Sequence, residues 1–323
     1  MTLAFTRRAV LGALAAAALP VHAQAWPAKP VRLIVPYPPG GVSDVVARAL
    51  GEQLAPLFGQ PVIVENKAGA SATIGMDALA KSAPDGYTLA FSAISPLVLS
   101  PAIGKVPYDA ERDFTPIASA MISPVLVLAT PANPAKDFRD VMGRAKDAPN
   151  TIRWATSGQA SLGHLMLEQL QDSAKVQLVH IPYKGGGQQI TDALSGQFEV
   201  LSVNAGPSIS EHIKSGRLRA LAVGAPKRLD SLPGVPTLAE LGYPRANLSS
   251  HFGLFAPANL PTRLLDRLNT DINNALATPA VRNRLVASEN VPTGGSAREF
   301  ARQIAAEADS TVRIVKTVGI KAE

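Results

Sequence analysis

The chain has 323 residues, 46% of them hydrophobic and 17% charged, with a formal net charge of +6 and no cysteine. A chain of this length buries enough surface to do without covalent staples and usually divides into two domains. The lack of cysteine excludes both a disulfide framework and a lipid on an N-terminal Cys. Basic residues are scattered and aromatics reach only 5%, which excludes a nucleic-acid groove of interleaved arginine and aromatic side chains; mild positivity suits small anions and equally serves solubility.

The N-terminus reads as an export signal. Thr6-Arg7-Arg8 precedes the apolar run Ala9 to Leu19, too short to span a bilayer, and Val21-His22-Ala23 and Ala23-Gln24-Ala25 supply small-residue cleavage patterns. Removal of residues 1–25, with cleavage near Ala23 or Ala25, predicts a periplasmic protein. The paired arginines fit twin-Arg and Sec routes alike. No later apolar run reaches the roughly 18 residues that cross a membrane.

Val31 to Pro36 predicts a buried strand, and Gly40-Gly41 turns the chain into a helix capped by Ser43 or Asp44, with Val46, Leu50, Leu54 and Leu57 as its inner stripe. Pro61 to Glu65 is a second strand. The loop Gly69 to Gly75 leads into a short helix, and Tyr87 to Phe91 is a third strand. The alternation resumes with a strand at Val125 to Leu128, a helix over Phe138 to Ala148, a strand at Thr151 to Ala155 and a helix from about Ser161 to Gln171. A strand at Val176 to Ile181, the run Gly185-Gly186-Gly187, a helix ending near Ser195-Gly196 and a strand at Leu218 to Val223 follow. After an irregular stretch around Pro233-Gly234-Val235-Pro236 and Gly242-Tyr243-Pro244, His251 to Ala256 predicts a strand. Two helices close the chain. Pro261 to about Ala277 carries Leu264, Leu265, Leu268, Ile272 and Leu276 on one side, and Ser296 to about Val318 carries Phe300, Ile304, Ala308, Val312 and Val315. Strands alternating with helices predict an α/β chain with parallel sheets in two units.

In open α/β sheets ligands sit beyond the carboxyl ends of strands, where helix N-termini present unpaired N–H groups. Gly40-Gly41-Val42-Ser43-Asp44 stands at such an end, with Asp44 as a cap or orienting acceptor; a plain strand-to-helix turn is the alternative. Thr156 to His164 is a second place, offering Ser157 and Ser161 hydroxyls and the close-approaching backbone of Gly158. Two helix N-termini facing across a cleft would grip an anion from both sides. Pro36-Tyr37-Pro38-Pro39-Gly40-Gly41 is echoed by Pro182-Tyr183-Lys184-Gly185-Gly186-Gly187, each after a strand and before a helix. No G-x-S-x-G, H-E-x-x-H, P-loop or dinucleotide pattern occurs in context, and His164, His180, His212 and His251 have no metal-ligand spacing. No metal and no cofactor are expected.

Trp26-Pro27, Lys29-Pro30 and Val31 to Gly41, Asp44, Val62 to Ala70, Ala83 to Leu89, Asp113 to Ile117, Ser157-Gly158, Ser161, His164-Leu165, Val179 to Gly185, Gly216 to Val223, Leu232 to Thr237 and Gly253 to Ala258 together resemble the Bug-type receptors of tripartite tricarboxylate transporters. The resemblance spans essentially the whole mature chain. It implies a type II periplasmic-binding-protein fold, with residues 26–124 and 248–323 in one lobe, 125–247 in the other, and a hinge that closes on the ligand. It further implies a monomeric solute-binding receptor, not an enzyme, that passes a small carboxylate to a membrane permease. Di- or tricarboxylates, acidic amino acids and aromatic acids are the classes it admits. Presentation to the sensor kinase of a two-component system, or a periplasmic hydrolase or isomerase in the same cleft, are the rival readings. The ligand-binding residues it implies are Tyr37, Gly40, Gly41, Ser43, Asp44, Ser71, Thr73 and Ser92 in the first lobe, and Ser157, Gly158, Ser161, His164, Tyr183 and Asn204 in the second. The chain departs from the family pattern at Ser71, Ala72 and Ala160, where glycine is frequent, at Asn204, where an acid is common, and at Gln188-Gln189, where Pro-Ala is usual. Those departures reshape the pocket, so the identity of the ligand does not transfer.

Overall fold

In the computed structural model, which describes residues 26–318, ten strands and eleven α-helices are laid out along the described residues; the expected signal lies outside them. The strands are β1 (Val31–Val35), β2 (Val62–Asn66), β3 (Thr88–Ala93), β4 (Phe114–Ala129), β5 (Arg153–Thr156), β6 (Val179–Pro182), β7 (Val200–Asn204), β8 (Arg219–Gly224), β9 (Ser249–Pro257) and β10 (Val291–Pro292). The helices are α1 (Val42–Phe58), α2 (Thr73–Ala80), α3 (Ser95–Val98), α4 (Ser100–Ile103), α5 (Phe138–Asp147), α6 (Leu162–Ala174), α7 (Gly186–Leu194), α8 (Pro207–Lys214), α9 (Thr262–Ala277), α10 (Pro279–Ala287) and α11 (Ala297–Val318).

One strand organises both halves. β4 pairs antiparallel with β9 from Phe114 opposite Pro257 to Pro124 opposite Ser249, and its last residues, Val125 to Ala129, pair antiparallel with β7 and β8. Around it stand two parallel sets, β1 with β2 and β3, and β5 with β6 and β7. The sheets are therefore mixed, which corrects the all-parallel expectation. The cause is the path of the chain: β4 carries it out of the first sheet and β9 brings it back, so both run against their neighbours. Pro116 and Pro124 disguise β4 in the sequence, because proline breaks a ladder it cannot donate to. Pro116 sits beside a register shift. Pro124 stands where the strand changes sheets, and its carbonyl accepts from the Ala205 N–H at 2.9 Å.

Alternation along the strands feeds two cores in each half. Leu33 and Val35 face α1, α9 and α10, while Ile34 faces the other way into a cluster with Met76, Phe255 and Phe300. In the second half Trp154 and Val127 pack with α5 and α6, and Ala155 and Leu128 pack with Phe198 and Ile209. Two positions depart from the expected stripes. Leu57 is 42% exposed, and the next residue, Phe58, takes the inner place, its ring 5.2 Å from that of Trp26. On α11, Val312 is 39% exposed and Thr311 is buried instead. Successive steps of four residues drift by about 40° each on a helix of about 3.6 residues per turn, so Val312 has rotated off the Phe300 face while Thr311 returns to it.

The chain crosses between the sheets at Pro124–Val125 and returns after Gly224. There the Ser249 hydroxyl donates to the Gly224 carbonyl at 3.0 Å, and the Asn247 amide donates to the Ala225 carbonyl at 2.8 Å. These adjacent crossings leave the loops at the carboxyl ends of β1, β3, β5, β6 and β7 around a common space.

Candidate functional site

That space is a cavity of about 1040 Å³, mouth included, bounded on one side by the loops after β1, β2 and β3 and on the other by the loops after β5, β6 and β7. Six helices begin at its wall, among them α2 after Ala72 and the four-residue α3 at Ser95. α1, α7 and α8 start from Gly41, Gly185 and Gly206 with no side chain capping them, whereas Ser161 caps α6 by accepting from the His164 N–H at 3.2 Å. Uncapped first turns keep N–H groups without partners and a partial positive charge, the arrangement that binds an anion.

A polar network holds the loop after β1. The Asp44 carboxylate accepts from the Gly40 N–H at 3.0 Å and pairs with Arg48 at 2.9 Å; Arg48 also donates to Asn66, whose amide donates to the Tyr37 carbonyl at 3.1 Å. Burial alone would raise the Asp44 pKa, but the hydrogen bonds from Arg48, the Gly40 N–H and Asn66 outweigh it and hold the group below the ordinary value. Asp44 is thus an ionised brace that uses one of the loop's own donors. Burial pushes the Tyr37 hydroxyl pKa up, so it keeps its proton, 3.5 Å from the Ser92 hydroxyl.

Two histidines brace the loop after β5. Their rings stack with centroids 4.1 Å apart and planes 5° from parallel. His180 Nε2 lies 2.7 Å from the Thr156 hydroxyl, which accepts from the Gly158 N–H, and His164 Nδ1 accepts from the Ala160 N–H at 3.3 Å. Burial, then the neighbouring His164, push the His180 pKa down to about 4. In the loop after β6, the Tyr183 hydroxyl donates to Asp192 at 2.8 Å; burial and that carboxylate push its pKa up to about 12.

The two sides touch at the cavity wall. Ser71 donates its hydroxyl to the Gln159 carbonyl across the gap. Ala70, Ser71 and Ala72 all have positive φ (43°, 50° and 77°), a left-handed run that costs each non-glycine residue of order 1 kcal/mol. A Cβ on Gly158, at φ 154°, would lie 2.7 Å from the Ser71 hydroxyl, and one on Gly185, at φ 129°, would collide with the Pro38 ring. Glycine is what lets the two sides approach this closely.

Of the residues expected at the site, Tyr37, Gly40, Gly41, Ser43, Ser71, Ser157, Ser161 and Asn204 stand on the cavity wall. Asp44, Thr73, Ser92, Gly158, His164 and Tyr183 do not form the wall. Thr73 turns its hydroxyl to the Ala70 carbonyl, Ser92 turns its own to the Ala93 carbonyl, and His164 is buried beneath its loop. Gln188 and Gln189 do not line the cavity either: Gln188 donates to Asp192, and the buried Gln189 amide donates to the carbonyls of Ala155 and Ser202. The sequence reading expected a helix after Gly185-Gly186-Gly187 but did not count its start among the site residues, and it missed the helix that starts from Gly206. Lys184, Gly206, Pro207 and Ser208 lie on the wall, and the short apolar run Val200-Leu201-Ser202-Val203 followed by Gly206-Pro207 carries the signal of a strand entering a helix with proline in its first turn. Among the described residues no cluster of three or more potential ligands for a metal occurs, and no helix is long and apolar enough to cross a membrane.

Residues 46–320 match the model of the tripartite tricarboxylate transporter family receptor. The chain belongs to that family. This receptor is 37% identical to protein BugT of Bordetella pertussis over 97% of each chain. Its fold is that of the periplasmic binding proteins: it is similar to a periplasmic transporter at 36% identity and TM-score 0.88, covering 92% of this chain and 99% of the other. It is also similar to the Rhodopseudomonas palustris protein MatC with bound malate (28% identity, TM-score 0.85, 90% and 100% covered) and to R. palustris Rpa4515 with adipate (30%, 0.86, 92% and 99%). Members of the family are substrate-binding receptors.

Proposed function

We propose that the receptor is exported with cleavage of residues 1–25, captures a small carboxylate in the cavity between its two sheets, and delivers it to a membrane permease of the tripartite type. Residues 26–124 with 248–323 form one lobe in this reading and 125–247 the other, turning about Pro124–Val125 and the return after Gly224. The observation that carries it is the convergence of uncapped helix N-termini from both halves on one cavity, in a family whose solved members hold malate and adipate. The wall contains serine hydroxyls but no histidine, aspartate or glutamate to take a proton from them, which favours capture over hydrolysis.

A thermal-shift screen of the mature protein against carboxylates tests this. At about 100-fold excess over its dissociation constant a true ligand stabilises the fold by about 2.7 kcal/mol, and mass spectrometry should recover that ligand unchanged. A set of di-, tri- and monocarboxylates that produces no shift, or a ligand returned as product, contradicts the reading.

A further inference from the structure

We infer that the cavity selects an acid whose charge lies at its ends and whose body is hydrocarbon, without an ammonium group; the inference rests on the carboxylate reading above and narrows it. Lys184 is the one residue on the wall with a charged side chain, and neither aspartate nor glutamate stands there. An ammonium entering this space would leave water with no carboxylate to face it and a lysine nearby to repel it. The same lysine adds to the helix N-termini as a counter-charge for an anionic end.

Apolar side chains share the wall with its serines and Asn204. Val42, Leu162, Ile190, Val203, Ile209 and Phe252 contribute to it, and Val203, Ile209 and Phe252 are nearly fully buried. A hydroxyl or carboxylate projecting from the middle of a ligand onto these surfaces loses its water and gains no partner. A methylene placed there is removed from water at no such cost, a gain of about fourfold in affinity for each.

Isothermal titration of the mature protein with succinate, glutarate, adipate, terephthalate, citrate and glutamate reads this selection. Adipate or terephthalate should bind at least tenfold more tightly than citrate or glutamate, and affinity should climb about fourfold per methylene from succinate to adipate. Citrate or glutamate binding as tightly as the best hydrocarbon acid overturns the narrowing while the carboxylate reading stands; failure of every acid to bind overturns both. Val203→Thr adds a hydroxyl to the wall at nearly constant volume and should weaken the tighter of adipate and terephthalate about tenfold, with the melting temperature of the unliganded protein as a control for folding. Ile190→Thr repeats the measurement at a half-buried position, and unchanged affinity in both folded variants overturns the proposal.

Discussion

Ser71 and Gln159 are 88 residues apart in sequence, yet the hydroxyl of the first, on the cavity wall, donates to the backbone carbonyl of the second from the opposite side. The bond joins a left-handed turn of one half to the loop that opens α6 in the other, and it exists only when the halves are together. Ser71→Ala removes the bond and keeps the backbone. Since a hydrogen bond of this kind contributes about 0.5–1.5 kcal/mol, release of a bound carboxylate, followed by stopped-flow fluorescence, should quicken by about twofold to tenfold. A release rate equal to the parent's would show that this contact does not hold the closed form.

Gly185 faces Pro38 from the other side of the cavity. Gly185→Ala places a methyl against the Pro38 ring and a side chain on a backbone at φ 129°, so closure is obstructed while each half keeps its own core. Carboxylate affinity by calorimetry should fall at least tenfold with the far-ultraviolet circular dichroism unchanged. Undiminished affinity would mean that the ligand is held without the two loops meeting.

Asp44 braces the Gly40 turn and pairs with Arg48. Asp44→Asn leaves Arg48 without its counter-ion and weakens the acceptor for Gly40, which should cost about 1–2 kcal/mol near neutral pH. Because the folded pKa lies below the ordinary value, the contribution of Asp44 is present above the usual carboxylate range and disappears as pH falls through the folded value. Denaturant midpoints of parent and variant should therefore differ at pH 7 and converge in strong acid. Ser157→Ala, at the wall, should weaken ligand binding without that stability loss. Normal affinity in both variants would remove these two loops from the site.

The His164–His180 stack makes stability depend on pH in a defined window. The unfolded chain protonates His180 near its ordinary value of 6.5, whereas the fold delays this to about 4, through burial and then the neighbouring His164, opposed by Glu168. Between those values unfolding takes up a proton, so stability is full above about 6.5 and falls as pH drops toward about 4. The loss is about 2–3 kcal/mol, allowing for partial solvation of the ring. His180→Phe keeps a flat ring against His164 and abolishes the titration. Its stability between pH 6.5 and 4, by urea denaturation, should fall less steeply than the parent's, and parallel curves would contradict the assignment.

Much of this architecture is legible in the sequence. The strand at Val31–Val35 and the glycine turn after it announce themselves because a buried parallel strand is a continuous apolar run and its loop needs special backbone angles. The same applies at Arg153–Thr156 and Ser161. What the sequence hid has physical reasons. β4 contains Pro116 and Pro124, so a strand of 16 residues reads as fragments. β7 is short, and its start lies in the polar stretch around Gln197 and Glu199. At the site, a motif tells which residues gather near the ligand but not which way they turn. Tyr183 and His164 are spent on Asp192 and Ala160, and only packing decides that. Lys184 lay inside the Tyr183-Lys184-Gly185 pattern without being singled out, because its place on the wall depends on Pro38 approaching Gly185 from the other half.

In the proposed capture the two halves close on a carboxylate. The chain has no cysteine, so Glu52→Cys on α1 and Lys214→Cys on α8, both exposed, take a spin label each without interference. Pulsed electron resonance should show a broad or longer distance in the free protein that collapses to one shorter distance when a bound carboxylate saturates it. A distance distribution unchanged by a carboxylate that calorimetry shows to be bound would contradict the account.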